Sequence, residues 1–193
     1  PSSMALTGIG IFVCLAALWI PDPAFPAKKI HVAEYLLLSC VVRFAMSFKL
    51  QSTSLLFFSF LFTAILGIHD EFLQGFHSSR TFGLRDMAVN SMGAGGGALI
   101  WHGLSLFPGS LQGTDSNETT RAAEIIYLGW LTLSTICFIW PCSFYTGGSG
   151  LPFWPAIMLM AGTFFYSVYA DSFLPSIKHG ITMVSFGTFA LIL

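Results

Sequence analysis

Long apolar runs alternate with short polar segments along the whole chain. Six of these runs are long enough to predict membrane-spanning helices, at residues 4–20, 32–48, 52–68, 87–107, 125–145 and 154–170. A helix of about 20 apolar residues crosses the hydrocarbon core of a bilayer. The run at 181–193 is apolar but too short to cross alone. The pattern predicts an all-α, polytopic transmembrane helical bundle with six spans and a shorter seventh apolar segment.

Composition agrees with this prediction. The chain of 193 residues is 54% hydrophobic and only 9% charged, with a mean hydropathy of +0.75. Soluble domains carry about 25% charged residues. The net charge of -1 gives neither a nucleic-acid footprint nor a polybasic lipid patch. The lipid bilayer is therefore the predicted partner, in the bacterial inner (cytoplasmic) membrane, and nucleic acid is excluded.

Polar residues gather in two places that the topology brings together. Segments 21–31 and 69–86 are separated by two predicted spans, so both lie on the same membrane face. In the first, His31, Glu34 and Tyr35 share one side of a helix by their spacing. The second cluster holds most of the remaining polar candidates: His69, Asp70, Glu71, Gln74, His77, Arg80, Arg85, Asp86 and Asn90. Such groups are costly near a bilayer, so a dense cluster has a structural or a functional cause.

Both blocks resemble the VanZ-like family of membrane proteins, named for a teicoplanin-resistance protein. The first block is Lys28, then His31, then Tyr35. The second is Asp70-Glu71-Phe72-Leu73-Gln74-Gly75-Phe76 with Arg80, Asp86, Asn90 and Gly93. Ala27 replaces a usual aspartate, and Ser78-Ser79 replaces a usual proline-glycine. The resemblance covers about residues 5–107. It implies a four-helix membrane core in 1–107, with additional transmembrane helices in 108–193, but no settled chemistry.

Three interpretations of the cluster remain open. As an interfacial binding site it comprises Lys28, His31, Tyr35, Asp70, Glu71, Gln74, Arg80, Asp86 and Asn90. In that site Arg80 is the natural partner of an anion, and His31 with Glu71 or Asp70 forms a general base pair. As a structural network its charges pair with one another and with Lys28, and Asp86 caps the fourth span. A metal site on His31, His69, Asp70, Glu71 and His77 lacks any metal-binding spacing, so no metal is assigned.

Residues outside the cluster have simpler interpretations. Gly93 and Gly97 form a small-xxx-small pair that lets another helix approach closely. Arg43 either extends its side chain to the interface or pairs with a carboxylate inside the bundle. His102 and His179 are expected to be hydrogen-bonded helix histidines rather than axial ligands of a cofactor.

Two functions follow as hypotheses. The first is a non-enzymatic membrane protein of the VanZ-like type, an accessory or structural subunit of a larger assembly such as a respiratory or photosynthetic one. Its partners are then other membrane subunits or pigments, bound or supported through the polar cluster at 28–35 and 69–90. The outer surface, rich in aromatic residues with 20 Phe and five Trp in the chain, is a further place for packing against lipid, pigments or other subunits. The alternative is an interfacial site that binds or processes a polar lipid or cell-envelope intermediate, as in glycopeptide resistance. No catalytic residue and no cofactor are assigned.

Overall fold

The computed structural model describes residues 3–75 and 83–109, and the isolated positions 129, 132, 133, 136, 157, 161, 181, 182 and 184. Within the two described stretches the chain forms four α-helices: α1 (Met4–Ala17), α2 (Ile30–Ser47), α3 (Ser52–Gly75) and α4 (Leu84–Gly103). A short 3-10 turn, Pro26–Lys29, leads into α2. No strand occurs among these described residues, so the predicted all-α class is confirmed for them.

The chain divides into two compact units, Pro1–Leu111 and Gln112–Leu193. All four described helices belong to the first unit. The predicted spans at 125–145 and 154–170 and the shorter apolar segment at 181–193 fall in the second unit, where only the isolated positions are described.

Two helices in the described part of the chain are long and apolar enough to cross a membrane: Pro26–Ser47 and Ser52–Glu71. The prediction of six spans and a seventh segment is therefore not supported. The run at 4–20 forms only the 14-residue helix α1. The run at 87–107 forms α4, whose polar residues include Asp86, Asn90 and His102 beside several glycines. That composition sets α4 apart from the two apolar helices.

Helix α4 is the centre of the first unit, because it packs against α1, α2 and α3. Its glycines permit this close packing. A Cβ atom added to Gly93 would lie 2.9 Å from the carbonyl oxygen of Val32, and one on Gly97 would lie 2.9 Å from that of Leu36. Gly96 approaches the backbone of α1 in the same way. Small residues at these positions let the helix backbones approach one another.

Beside an apolar core, the described residues include many exposed large apolar side chains and several buried polar or charged ones. Large apolar side chains lie exposed on the outer faces of α1 and α2, among them Ile9, Phe12, Leu37 and Val41. The buried side chains include Arg43, Glu71, Asp86 and Asn90. An exposed apolar surface of this kind marks contact with a membrane or with another protein.

Candidate functional site

The predicted cluster forms where three helix ends meet at one end of the Pro1–Leu111 unit. The 3-10 turn and the start of α2 bring in Lys28, His31 and Tyr35. The last turns of α3 bring in Asp70, Glu71 and Gln74, and the first turns of α4 bring in Asp86 and Asn90. Of the nine candidate binding residues, Arg80 lies outside the described residues.

An ion pair joins the start of α2 to the start of α4. The ammonium group of Lys28 donates to Oδ2 of Asp86, 58 residues along the chain. The Lys28 side chain remains 29% exposed, whereas that of Asp86 is buried. This contact places Lys28 and Asp86 at the same end of the bundle.

The expected capping role of Asp86 is wrong. Helix α4 begins one turn earlier than the apolar run suggests, at Leu84, and its N-cap residue is Gly83, which makes no side-chain capping bond. Asp86 therefore sits inside the first turn. There a negative charge interacts favourably with the positive end of the helix, while its carboxylate binds Lys28.

Asp70 receives two hydrogen bonds on one oxygen. Tyr35 Oη donates to Asp70 Oδ2 at 3.3 Å, and Gln74 Nε2, one turn along α3, donates to the same atom at 3.0 Å. The Tyr35 ring lies against Gly67, where an added Cβ atom would be 3.0 Å from the ring carbon Cε1. Gly67 was missed in the sequence analysis, and its only signal is a lone glycine within an apolar helix.

Glu71 and Asn90 form the most deeply buried pair of the site. Asn90 Nδ2 donates to the carbonyl oxygen of Gly67 at 3.1 Å and to Glu71 Oε1 at 3.4 Å. The two residues are 1% and 0% exposed, respectively. Within the described residues, the remaining oxygens, Glu71 Oε2 and Asn90 Oδ1, have no hydrogen-bond partner. Each of these two residues thus holds one buried acceptor without a donor.

The predicted general base pair does not form. Among the described residues, the hydrogen-bond partner of His31 is Glu34, whose Oε2 lies 2.8 Å from His31 Nδ1, rather than Asp70 or Glu71. The His31 side chain is 20% exposed and that of Glu34 is 54% exposed. This pair therefore lies at the surface of the cluster and leaves Glu71 without an imidazole partner.

The described residues contain no group of three or more His, Cys, Asp or Glu side chains that could hold a metal ion. His69 belongs to α3, but His77 lies outside the described part of the chain. The structure thus brings Asp70 and Glu71 into hydrogen-bonded pairs with Tyr35, Gln74 and Asn90 instead.

A second buried polar group lies near the C-terminal end of α4. Arg43 is only 1% exposed, and its Nε donates to the carbonyl oxygen of Leu106 at 2.6 Å. Among the described residues, Arg43 therefore forms no ion pair with a carboxylate and binds a backbone carbonyl oxygen instead, whereas its extension to the interface stays a prediction. In the part of the chain that the structure describes, Arg43 Nη1 and His102 Nδ1 have no hydrogen-bond partner. His179 lies outside the described residues.

No protein-family model matches the chain, and no curated protein or solved structure matches it either. The VanZ-like resemblance therefore rests on the two residue blocks alone. Function is inferred from the packing, burial and hydrogen bonding of the described residues.

Proposed function

We propose that this chain is an integral, multi-pass membrane protein of the VanZ-like type that acts without a catalytic step, as an accessory or structural component of a larger assembly in the bacterial inner membrane. In this proposal α2 and α3 cross the bilayer, and the apolar runs of the second unit supply further spans. The polar end of the bundle is where the protein contacts its partner.

One observation carries the membrane part of the proposal. Apolar side chains such as Phe12, Leu37 and Val41 face outward, while Glu71 and Asn90 are buried. Water would favour the reverse arrangement, whereas hydrocarbon favours this one. Two helices of sufficient length and apolar character are consistent with it.

The pairing of the cluster supports a role without catalysis. Lys28 forms an ion pair with Asp86, and Asp70 accepts hydrogen bonds from Tyr35 and Gln74. A general base needs a side chain within hydrogen-bond reach of the proton that it removes. Apart from one oxygen each on Glu71 and Asn90, the polar contacts of this cluster are instead made between its own side chains, as expected of a network that ties three helix ends together.

The first test is an alkaline carbonate wash of native membranes, followed by gentle detergent extraction with size and mass analysis. The proposal expects the protein to stay in the washed membranes and then to migrate as a stoichiometric complex with other membrane subunits. Release by carbonate would overturn the membrane assignment. Retention followed by extraction as a monomer or homodimer would overturn the accessory role alone.

A second candidate function is an interfacial site for a polar lipid or cell-envelope intermediate. It is favoured by the partial exposure of Lys28 and His31, which keeps both within reach of a head group at the bundle end. Mass analysis of lipid that copurifies with Lys28→Ala and with the matched control Lys29→Ala tests it, because Lys29 is exposed on the same turn. The candidate fails if both variants retain the same lipid as the wild type.

A further inference from the structure

The hydrogen bonds of Asn90 leave an incomplete pair with Glu71. A carboxamide has two N–H donors, and those of Asn90 are directed to Gly67 O and Glu71 Oε1. Its own oxygen, Oδ1, and the second carboxyl oxygen, Glu71 Oε2, are both acceptors without a donor among the described residues. A buried acceptor without a donor is costly in free energy. Two such acceptor oxygens on residues in contact indicate that a hydrogen atom is shared between them.

The charges around Glu71 indicate what is missing. The charged and titratable side chains that act on it come from all three neighbouring elements: Lys28 and His31 from the turn and α2, Asp70 from α3, and Asp86 from α4. With every carboxyl group ionised and His31 neutral, the described residues set Lys28 alone against Asp70, Glu71 and Asp86, an excess of two negative charges. Lys28 already binds Asp86. An ionised carboxylate in such a site is expensive unless it is paired.

The three carboxyl groups differ in the donors that they receive. Asp86 is bound by an ammonium group, and Asp70 accepts hydrogen bonds from a phenol and an amide. Glu71, which is more deeply buried than Asp86, accepts one long hydrogen bond of 3.4 Å. Of these three carboxyl groups, Glu71 therefore binds a proton at the lowest cost in free energy. Its protonation also removes the largest part of the penalty for burying an unpaired charge.

We propose that Glu71 is a proton-binding site, with the proton on Oε2 donated to Oδ1 of Asn90 while Asn90 Nδ2 donates to Oε1. The carboxylic acid and the carboxamide then form a reciprocal pair between α3 and α4. One proton taken from water satisfies both orphaned oxygens and removes one of the two excess charges. This site is additional to the proposed membrane role and does not depend on the identity of any partner.

Infrared spectroscopy of the purified full chain in detergent at pH 5 tests the proposal. The wild type is expected to show the carbonyl stretch of a protonated carboxylic acid, which shifts in deuterated water. Glu71→Gln should lose this band. The matched control Glu34→Gln should keep it, because Glu34 lies at the surface with its carboxylate bound to His31. The proposal would be overturned if the wild type showed no acid band, or if its acid band persisted in Glu71→Gln.

Thermal unfolding distinguishes a proton bound at Glu71 from a metal cation bound there. The side-chain amide introduced by Glu71→Gln carries its own N–H donor for Asn90 Oδ1, so the Tm of this variant should stay within about 2 °C of the wild type, whereas Glu71→Leu should lower it by roughly 4–10 °C. A wild-type Tm that rises when sodium or potassium replaces choline, with no such rise in Glu71→Gln, would show a metal cation between the oxygens and overturn the proposal.

A second variant protects the test against a failure to fold. If Glu71→Gln does not accumulate, Asn90→Ala leaves the acid in place and removes the acceptor of its proton. The acid band should then move to the higher frequency of a carboxyl group with a weaker hydrogen bond. An acid band that is unchanged in Asn90→Ala would show that the proton is not held by Asn90.

Discussion

The two ends of the four-helix unit each bury an ionised side chain, but they stabilise it differently. At one end the carboxylate of Asp86 meets the ammonium group of Lys28. At the other end the guanidinium group of Arg43 meets a backbone carbonyl oxygen, that of Leu106. The first charge has a side-chain counter-ion, whereas the second is stabilised by peptide dipoles. Among the described residues, the partner of the buried guanidinium group is thus a backbone carbonyl oxygen and not a carboxylate.

Both charges also match the direction of α4. Asp86 lies in the first turn of this helix, where the free N–H groups carry positive partial charge. Arg43 binds the carbonyl oxygen of Leu106, in the segment that follows the last turn of this helix. Helix α4 is the polar, glycine-rich centre of the unit, and its two ends are complemented by α2 and the turn that precedes it.

The segment that follows α4 explains why we expect Arg43 to contribute most to the stability of the unit. Ser105 and Phe107 have φ angles of 56° and 50°, in the left-handed region that non-glycine residues rarely adopt. Arg43 binds the carbonyl oxygen of Leu106, the residue between them. Phe107 also packs edge-to-face on Phe44, with ring centroids 4.9 Å apart. The guanidinium group thus holds an unfavourable backbone conformation in place.

The largest expected effect is therefore at Arg43. Arg43→Ala should lower the free energy of unfolding by about 3 kcal/mol or more, because it leaves a cavity and an unpaired carbonyl group. The control Lys49→Ala, an exposed cation near the same end, should change it by less than about 0.5 kcal/mol. Denaturant unfolding in micelles measures both. An Arg43→Met variant as stable as the wild type would show that the charge itself contributes nothing here.

The sequence predicts the first end far better than the second. Charged residues between apolar runs mark the polar end, and two helix-length spacings bring Lys28 and Asp86 to one face. The partner of Arg43 is not predictable in this way, because every residue offers a carbonyl group and Leu106 has no distinguishing side chain. Gly67 likewise contributes backbone space and a carbonyl oxygen to the site, and neither has a sequence signature.

The prediction that the run at 87–107 is a membrane span is not supported, since α4 is not one of the two described helices that are long and apolar enough to cross a membrane. Its run from 87 to 107 reads as apolar because alanine and glycine are abundant in it. In the structure, several of those glycines make close helix contacts at the centre of the bundle. Hydropathy alone does not distinguish a small residue that faces a helix from one that faces lipid.

A smaller effect is expected at the polar end. Asp86→Ala should cost about 2 kcal/mol, and Lys28→Ala about 1 kcal/mol, since the partly exposed ammonium group is already partly hydrated. In a double-mutant cycle the pair should show a coupling of about 1 kcal/mol. The same unfolding assay gives all four free energies. Strictly additive losses would mean that the two side chains do not stabilise each other. The Lys28–Asp86 end would then not differ from the Arg43 end in having a stabilising counter-ion.

The smallest effects are expected where a substitution removes one of two hydrogen bonds to the same group, and each end of the unit offers one such case. Tyr35→Phe removes one of two donors to Asp70, and the remaining ring still packs on Gly67. Ser39→Ala, towards the other end, removes one of two acceptors of Trp101 Nε1, which keeps the carbonyl oxygen of Leu36 at 3.1 Å. Bonds to charged groups are stronger than neutral ones. Tyr35→Phe should therefore cost about 1 kcal/mol and Ser39→Ala about 0.5 kcal/mol. Equal losses in matched unfolding curves would mean that Asp70 holds its tyrosine no more firmly than a neutral acceptor does.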